Sequence, residues 1–389
     1  MKINEINIYS FHVRGESEWI FLEAISTNGV SGLSELTMSN KHFLQKDLVK
    51  LIKTQINKLL PEDLNNDLQI KNILEEGESE INNSLVLATV ISGIRSACSD
   101  IFAQNKSLSL RDYLVKFYNL PKATLDAVPL YANINRSLLP NNNGPVDRSA
   151  DSFKLKAKKA IKDGFKFIKC APFDQYPESF YKDKKFISEG FKKISSVVSL
   201  FSNDEKLLVD CHAKFNLNES IEAEKMLFEK GVEWFEEPMN PKISIDDLKK
   251  IKAVIKGNLV GGEEFYGENK FSELLNTKVL DILMPDIKYC GGIEEAIKIG
   301  IELSKVSSQS FSIHCPSGPI SLLGSAHVTS ALNSSLPLEH AVYEISNRNL
   351  YISPPEKIIN GKFYFPEGAG LGGKLNLNIP HKLISNIKF

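Results

Sequence analysis

From residue 127 onward, seven short apolar runs each end on an ionisable residue: Lys169, Asp210, Glu236, Glu263, Asp286, His314 and Glu339. The intervals between these residues are 41, 26, 27, 23, 28 and 25 positions. Five of the six approximate one strand, one helix and two short loops. The runs are "FKFIKCA", "KLLVDCH", "VEWFEEP", "NLVGGEE", "LDILMPD", "SFSIHCP" and "LPLEHA", with "AVPLYANI" ahead of them. Amphipathic stretches lie between them. In "GGIEEAIKIGIEL", Ile293, Ala296, Ile297, Gly300 and Ile301 fall at i, i+3, i+4, i+7 and i+8, the spacing of one helix face. A second helix is expected from Ser244, with Asp247 completing a capping box and Leu248, Ile251 and Ile255 on one face. Strands alternating with helices form a parallel sheet with right-handed crossovers. Eight such strands predict a closed barrel in which every strand C-terminus opens on one mouth.

A single charged residue at a strand tip is ordinarily a solvated or salt-bridged cap. A charge at each of seven successive tips is different, because like charges crowded into one mouth repel unless a cation joins them. Asp210, Glu236 and Glu263 come from three consecutive strands and are candidate ligands for a hard divalent ion. Mg2+ suits an all-oxygen set and keeps positions for water or substrate oxygens. No paired cysteine or histidine spacing competes for zinc. Glu237 and Glu264 directly follow two of the ligands, and strand alternation turns them toward supporting or salt-bridging positions. His212 stands two residues beyond Asp210 in "LLVDCHAKF".

Ahead of the barrel, residues 1–125 read as a separate α+β unit. Strand-like "INEINIYSFHV" and "WIFLEAIST" precede the turn "NGVSG", and helices are expected over 44–60 and 83–118. In the second helix Leu85, Ala88, Ile91 and Ala97 share an apolar stripe. The catalytic unit is then expected over 126–344. With 47 basic and 48 acidic residues the net charge is -1, so no large field is offered to nucleic acid or to an anionic membrane. The expected partner is a small molecule. The N-terminus lacks a signal-peptide layout, and no run reads as long enough for a membrane span. Five scattered cysteines, 98, 170, 211, 290 and 315, are expected to be reduced thiols in a cytoplasm.

Taken in order, "GFKFIKCAPF", "VDCHAKF", "WFEEP", "GGEEFYG", "MPDIKYCGGI", "IHCPSGPI", "LEHAVYE" and "PEGAGLGGKL" resemble the enolase superfamily. The likeness is to its mandelate racemase / muconate lactonizing enzyme branch, nearest in motif to the acid-sugar dehydratases. It implies a (β/α)7β modified TIM barrel under an α+β capping domain, with the tail 345–389 joining that domain. It implies Mg2+ on Asp210, Glu236 and Glu263, and an Asp286–His314 dyad that takes the proton next to a carboxylate. Lys169 would be an electrophile beside that carboxylate, and Glu339 would touch it as a protonated donor. Racemases of the branch carry Lys-x-Lys where this chain reads Lys169-Cys170-Ala171, so the second base is replaced by alanine. Their Asp-x-Asn is here Asp210-Cys211-His212, as in the dehydratases. His212 is then the expected general acid for a departing β-hydroxyl, with a syn elimination by His314 alone as the other route.

These features imply a homo-oligomeric hydro-lyase that converts a sugar acid into a 2-keto-3-deoxy acid. A one-base epimerase or cycloisomerase is the alternative within the branch, and a metal-free binding protein the alternative outside it. Tyr131, Asn133 and Arg136 in "YANINRS" are candidate contacts to substrate hydroxyls or a distal carboxylate, weighed against an ordinary polar loop. Glu35 and the loops around 15–20 and 36–45 are expected to select the substrate. His12, His42, His327, His340 and His381 are expected to be structural, at surface or helical positions. The Lys-rich stretches are expected to be solvated helix faces. Gly291–Gly292 reads as a turn that starts a helix, suited to a nearby anion.

Overall fold

A computed structural model describes residues 1–389 except 16, 39–44, 79, 140–146, 176–183, 203, 241, 243–244 and 307–308. Strands β1 (Ile3–Arg14), β2 (Ser17–Ser26) and β3 (Ser31–Glu35) form an antiparallel meander. Helices α1 (Gln45–Leu59), α2 (Asp67–Glu75), α3 (Leu85–Asn105) and α4 (Leu110–Phe117) follow. The single helix expected over 83–118 is thus two. Ser107 adopts a left-handed φ of 53° that turns the chain, and the Ser109 hydroxyl accepts from Asp112 N to start α4.

Leu87 through Ala103 of α3 are all buried. Contrary to the sequence expectation, α3 has the length and apolarity of a membrane span, but it is packed inside the protein. Its one arginine is neutralised locally. Arg95 donates to both Asp67 oxygens at 2.8 and 2.6 Å and to Glu295 Oε2 at 2.8 Å. Gly32 lets β3 lie against this helix, since a Cβ there would fall 2.0 Å from the Ala97 carbonyl oxygen.

Strands β4 (Ala127–Asn133), β5 (Phe167–Cys170), β6 (Lys206–Asp210), β7 (Trp234–Glu236), β8 (Asn258–Gly261), β9 (Ile282–Leu283) and β10 (Ser310–Phe311) pair in parallel in that order. β11 (Leu338–Ala341) pairs back onto β4, and the Ser312 hydroxyl bridges the last seam by donating to Pro337 O at 3.0 Å. Helices α5 (Ala150–Lys162), α6 (Lys184–Val198), α7 (Leu217–Phe228), α8 (Ile245–Lys252), α9 (Glu268–Thr277), α10 (Ile293–Ser304) and α11 (Pro319–Ala331) follow the first seven strands of this set. The fold is a (β/α)7β barrel with an N-terminal cap. Tyr131, Leu208, Trp234, Val260, Ile282 and Met284 pack together as one buried layer inside it. Strand alternation then sets Asp210 above Leu208 and Glu236 above Trp234, on the inward face.

In the tail, β12 (Ile352–Ser353) pairs with β15 (Lys374–Leu375), and β13 (Lys357–Ile359) forms a hairpin with β14 (Lys362–Tyr364). β14 adds to the start of β4, while β16 (Lys382–Lys388) joins the first sheet beside β1. The tail therefore serves both units. In α8, Leu248 and Ile251 are buried, while Ser244 and the expected capping box lie outside the described residues.

Ahead of α10, Gly291 N donates to the Ser92 hydroxyl at 2.8 Å and Ile293 N to the Ser96 hydroxyl at 3.2 Å. The Gly291–Gly292 turn thus starts α10 as expected, and its backbone docks on α3. All five cysteines are free and buried.

Among the histidines, His12 and His381 are exposed and His42 lies outside the described residues. His340 departs from expectation: it is buried on strand β11. His327 is buried on α11, accepts from Arg111 N at 3.1 Å and donates to Leu371 O at 3.2 Å. Burial draws its pKa down from 6.5 to about 4. The unfolded chain therefore takes up this proton first as pH falls. The stability His327 contributes is complete above pH 6.5 and is lost toward pH 4, by roughly 3 kcal/mol in total. His327→Gln keeps an acceptor and a donor without a proton to bind. Its melting temperature is expected to fall less steeply than the wild type's between pH 7 and pH 4.5. Parallel melting curves would contradict this.

Candidate active site

Barrel closure brings the ionisable tips together. One carboxylate oxygen each from Asp210, Glu236 and Glu263 lie within 4.8 Å of one another. The acids are reached from different depths: Asp210 and Glu236 end β6 and β7, whereas Glu263 stands two residues past β8. Trp234 Nε1 donates to Glu236 Oε2 at 2.8 Å and fixes that carboxylate from below. Burial and the nearby Asp210 charge push the Glu236 pKa well above the ordinary carboxylate range, and burial also raises Glu263. Against burial, His212 and Lys169 hold Asp210 well below that range, so the crowded acids differ in how readily they ionise. The all-oxygen donor set matches a hard divalent cation.

Lys169, on the adjacent strand, is fully buried. Its ammonium donates to Glu236 Oε1 and lies 3.1 Å from both Asp210 Oδ2 and Glu339 Oε1. Burial opposes that charge, but Glu236, Glu339 and Asp210 outweigh it and hold the lysine pKa well above its usual range. These three carboxylates hold Lys169 as a cation.

The two imidazoles meet different acids of the triad. His314 Nε2 lies 3.1 Å from Glu263 Oε2 and 3.9 Å from Glu339 Oε2, with Nδ1 2.9 Å from Asp286 Oδ2. His212 Nε2 lies 3.0 Å from Asp210 Oδ2. Burial disfavours both imidazolium forms. Even so, Glu263 and Glu339 raise His314 to about 9, and Asp210 and Asp174 hold His212 well above its ordinary value.

Four expectations change on folding. Glu339 accepts from Asn133 Nδ2 at 2.7 Å, from Cys315 N at 2.8 Å and from Lys169. Against the effect of burial, Lys169 and His314 bring its pKa below the usual range, so it is held as a carboxylate and not as the protonated donor expected. Tyr131 belongs to the barrel's inner layer, edge-on to Trp234 at 6.1 Å between centroids, because it points inward one pleat below Asn133. Arg136 turns to Glu344, with nitrogens 2.5 and 2.7 Å from Oε1, and is committed there instead of to a substrate. Glu35 accepts from Gly318 N at 2.7 Å and Ser321 N at 2.9 Å, so it caps the start of α11 and ties the first sheet to the barrel. Asn133 is at the mouth and serves Glu339.

Sequence reading missed two charged partners. Lys288 donates from Nζ to Asp286 Oδ2 at 2.6 Å, the same oxygen that faces His314. Asp174 lies 2.5 Å from His212 Nδ1. Lys288 had a faint signal, two residues beyond Asp286 in the turn that follows β9. Asp174 sits in a loop, where no periodicity assigns a direction. A cavity of about 190 Å³ opens over the β6–β8 side, lined by residues including His212, Glu237, Asn240, Lys242, Glu263 and Glu264. Glu237 accepts from Gly262 N at 3.1 Å, and Glu264 pairs with Lys242 at 3.6 Å.

A family model described as enolase C-terminal domain-like matches residues 152–379. The arabinonate dehydratase of Saccharolobus solfataricus is 28% identical over 231 residues, 59% of this chain and 58% of that protein. The D-galactarolactone cycloisomerase of Agrobacterium fabrum is 24% identical over 198 residues, 49% of this chain and 52% of that protein. The chain thus spans a little over half the length of these two curated relatives. A crystal structure of a member of the enolase superfamily from Salmonella Typhimurium has a TM-score of 0.85 at 19% identity, covering 100% of both chains.

Proposed function

The chain belongs to the enolase C-terminal domain-like family of the enolase superfamily, and from that premise we propose that it is a metal-dependent hydro-lyase acting on a sugar acid. The observation that carries this reading is the meeting of Asp210, Glu236 and Glu263 between two imidazoles, His212 against Asp210 and His314 against Glu263. The three carboxylates would hold the cation, for which Mg2+ is the proposed identity. When bound, it would supply positive charge opposite a substrate carboxylate and so acidify the neighbouring C–H bond.

The remaining steps are assigned to the chain's own groups. Lys169 sets a second fixed positive charge at the same place, directed at the negative charge that develops as the α-proton leaves. His314 takes that proton on Nε2, while Asp286 holds its Nδ1 and Lys288 holds Asp286. His212 gives a proton to the β-hydroxyl, which then departs as water. The enol that remains tautomerises to a 2-keto-3-deoxy acid. Ala171, in place of a second lysine, leaves proton transfer on that side without a base and argues against two-base racemisation.

Curated relatives named as arabinonate, D-xylonate and D-gluconate dehydratases support sugar acids as the substrate class. The similarity to a D-galactarolactone cycloisomerase supports a second reading, proton transfer coupled to lactone opening. A screen of aldonic and aldaric acids and of their lactones with Mg2+, scored for keto-acid formation from the open acids, separates the two. Metal-dependent keto acid from at least one aldonic acid is the expected result. An epimer or a lactone-derived product without loss of water would overturn the dehydratase reading.

A further inference from the structure

His212 does not stand alone at its rim of the site. Its Nδ1 lies 2.5 Å from Asp174 Oδ1, and its backbone N–H donates to Asp210 Oδ1 at 3.0 Å. The backbone at His212 is left-handed, with φ 45°, which turns its ring back toward the loop after β5. That loop is anchored independently of the histidine. Arg148 donates from one guanidinium nitrogen to Asp174 Oδ2 at 3.1 Å and to Ala171 O at 2.9 Å. Arg148 itself lies over the Phe153 ring, 5.3 Å from its centroid. Phe173, the neighbour of Asp174, is buried edge-on to Phe191 at 5.8 Å and to Phe215 at 4.9 Å. One Asp174 oxygen is thus tied to the scaffold and the other is aimed at the imidazole.

We propose that Asp174 is the positioning residue for His212, giving the site a second Asp–His pair on the opposite rim of the acidic triad from Asp286–His314. A carboxylate accepting the Nδ1–H bond fixes the ring plane and leaves Nε2 as the nitrogen that faces the site and gives up a proton from the imidazolium form. The proposal rests on the dehydration reading. In that reaction the electron pair of the broken Cα–H bond becomes the C=C bond. The pair of the breaking Cβ–O bond leaves with the hydroxyl, which takes the Nε2 proton of His212 and departs as water. The enol then loses its hydroxyl proton and gains one at Cβ. Without Asp174 the first half, proton removal by His314, still operates, while the second half loses its oriented acid.

The test uses the full-length protein with Mg2+ in deuterated water, with arabinonate, xylonate, gluconate and galactonate as probes. Two products are read by NMR: deuterium at the α-carbon of recovered acid, and keto acid. Asp174→Asn is expected to lower kcat for keto-acid formation roughly 10–100-fold with little change in KM, while α-deuterium exchange persists. Asp174→Glu, which keeps the charge, is expected to restore part of the loss. Equal loss of both readouts, loss of neither, or a rise in KM alone would overturn the assignment. A substrate-independent arm uses the imidazole NMR of the Mg2+-loaded protein, with His212→Asn to identify the signal. The Nδ1-bound proton of His212 is expected to lose its downfield position in Asp174→Asn, and an unchanged signal refutes the pairing. If the wild type dehydrates none of the four acids, the dehydratase reading fails, and the NMR arm still decides whether Asp174 holds His212.

Discussion

His314→Asn is expected to abolish α-proton exchange and lower keto-acid formation roughly 10²–10⁴-fold, the range for loss of a positioned general base. The imidazole spans from the Asp286 carboxylate at 2.9 Å to the triad at 3.1 Å. Asparagine fills part of that volume and keeps a polar group toward Asp286, so the fold is expected to survive. Asp286→Asn is expected to follow it more weakly, because an amide facing Nδ1 favours the wrong tautomer. The pH dependence has a definite sign. Glu263 and Glu339 raise the His314 pKa to about 9, and only the neutral ring accepts a proton, so at low Mg2+ exchange is expected to be low at neutral pH and to rise toward pH 9. A cation shared by Glu263 weakens that pull, and the rising limb is expected to move to lower pH as Mg2+ is added. Exchange in His314→Asn at the wild-type rate would remove this residue from the mechanism.

Glu236→Gln is expected to erase the response to metal. The wild type at a Mg2+ concentration 100 times Kd gains about 2.7 kcal/mol of stability by mass action, visible as a higher melting temperature. Glu236 is the buried centre of the triad, and burial with Asp210 beside it already disfavours its charge. Replacing it with an amide removes one of three anionic donors and also weakens the pairing of the buried Lys169, so the readout is the Mg2+-dependent shift in each protein and not its absolute melting temperature. The wild-type melting temperature is expected to rise with Mg2+ and that of Glu236→Gln to stay flat, with keto-acid formation lost in parallel. Equal Mg2+-dependent shifts in both proteins would exclude Glu236 as a ligand.

The barrel was legible because its signal is local and repeated. Apolar runs at near-constant spacing need no knowledge of distant contacts, and a strand's last inward residue is set by its own alternation. Asp210 and Glu236, which end β6 and β7, could thus be named from the chain alone, whereas Asp286 and His314 stand three residues past β9 and β10 and were named as the ends of longer apolar runs. The division of 83–118 into two helices was not legible, because an apolar stripe continues across Ser107 while the break depends on one left-handed residue. α3 shows the converse: its apolarity reports burial, and only its neighbours say that the burying medium is protein.

What the order of residues determined, then, is which groups reach the mouth. Which of them touch was decided by folding. Glu339 is held as a carboxylate because Lys169, Asn133 and Cys315 N converge on it from three separate strands or their tips. Arg136 faces Glu344, and Glu35 serves the start of α11, through pairings across 208 and 283 positions. Asp174 and Lys288 acquire their partners in the same way. A side chain's protonation and partner depend on the field within a few ångströms, and that field is made by residues far apart in sequence, so spacing along the chain carries no record of it.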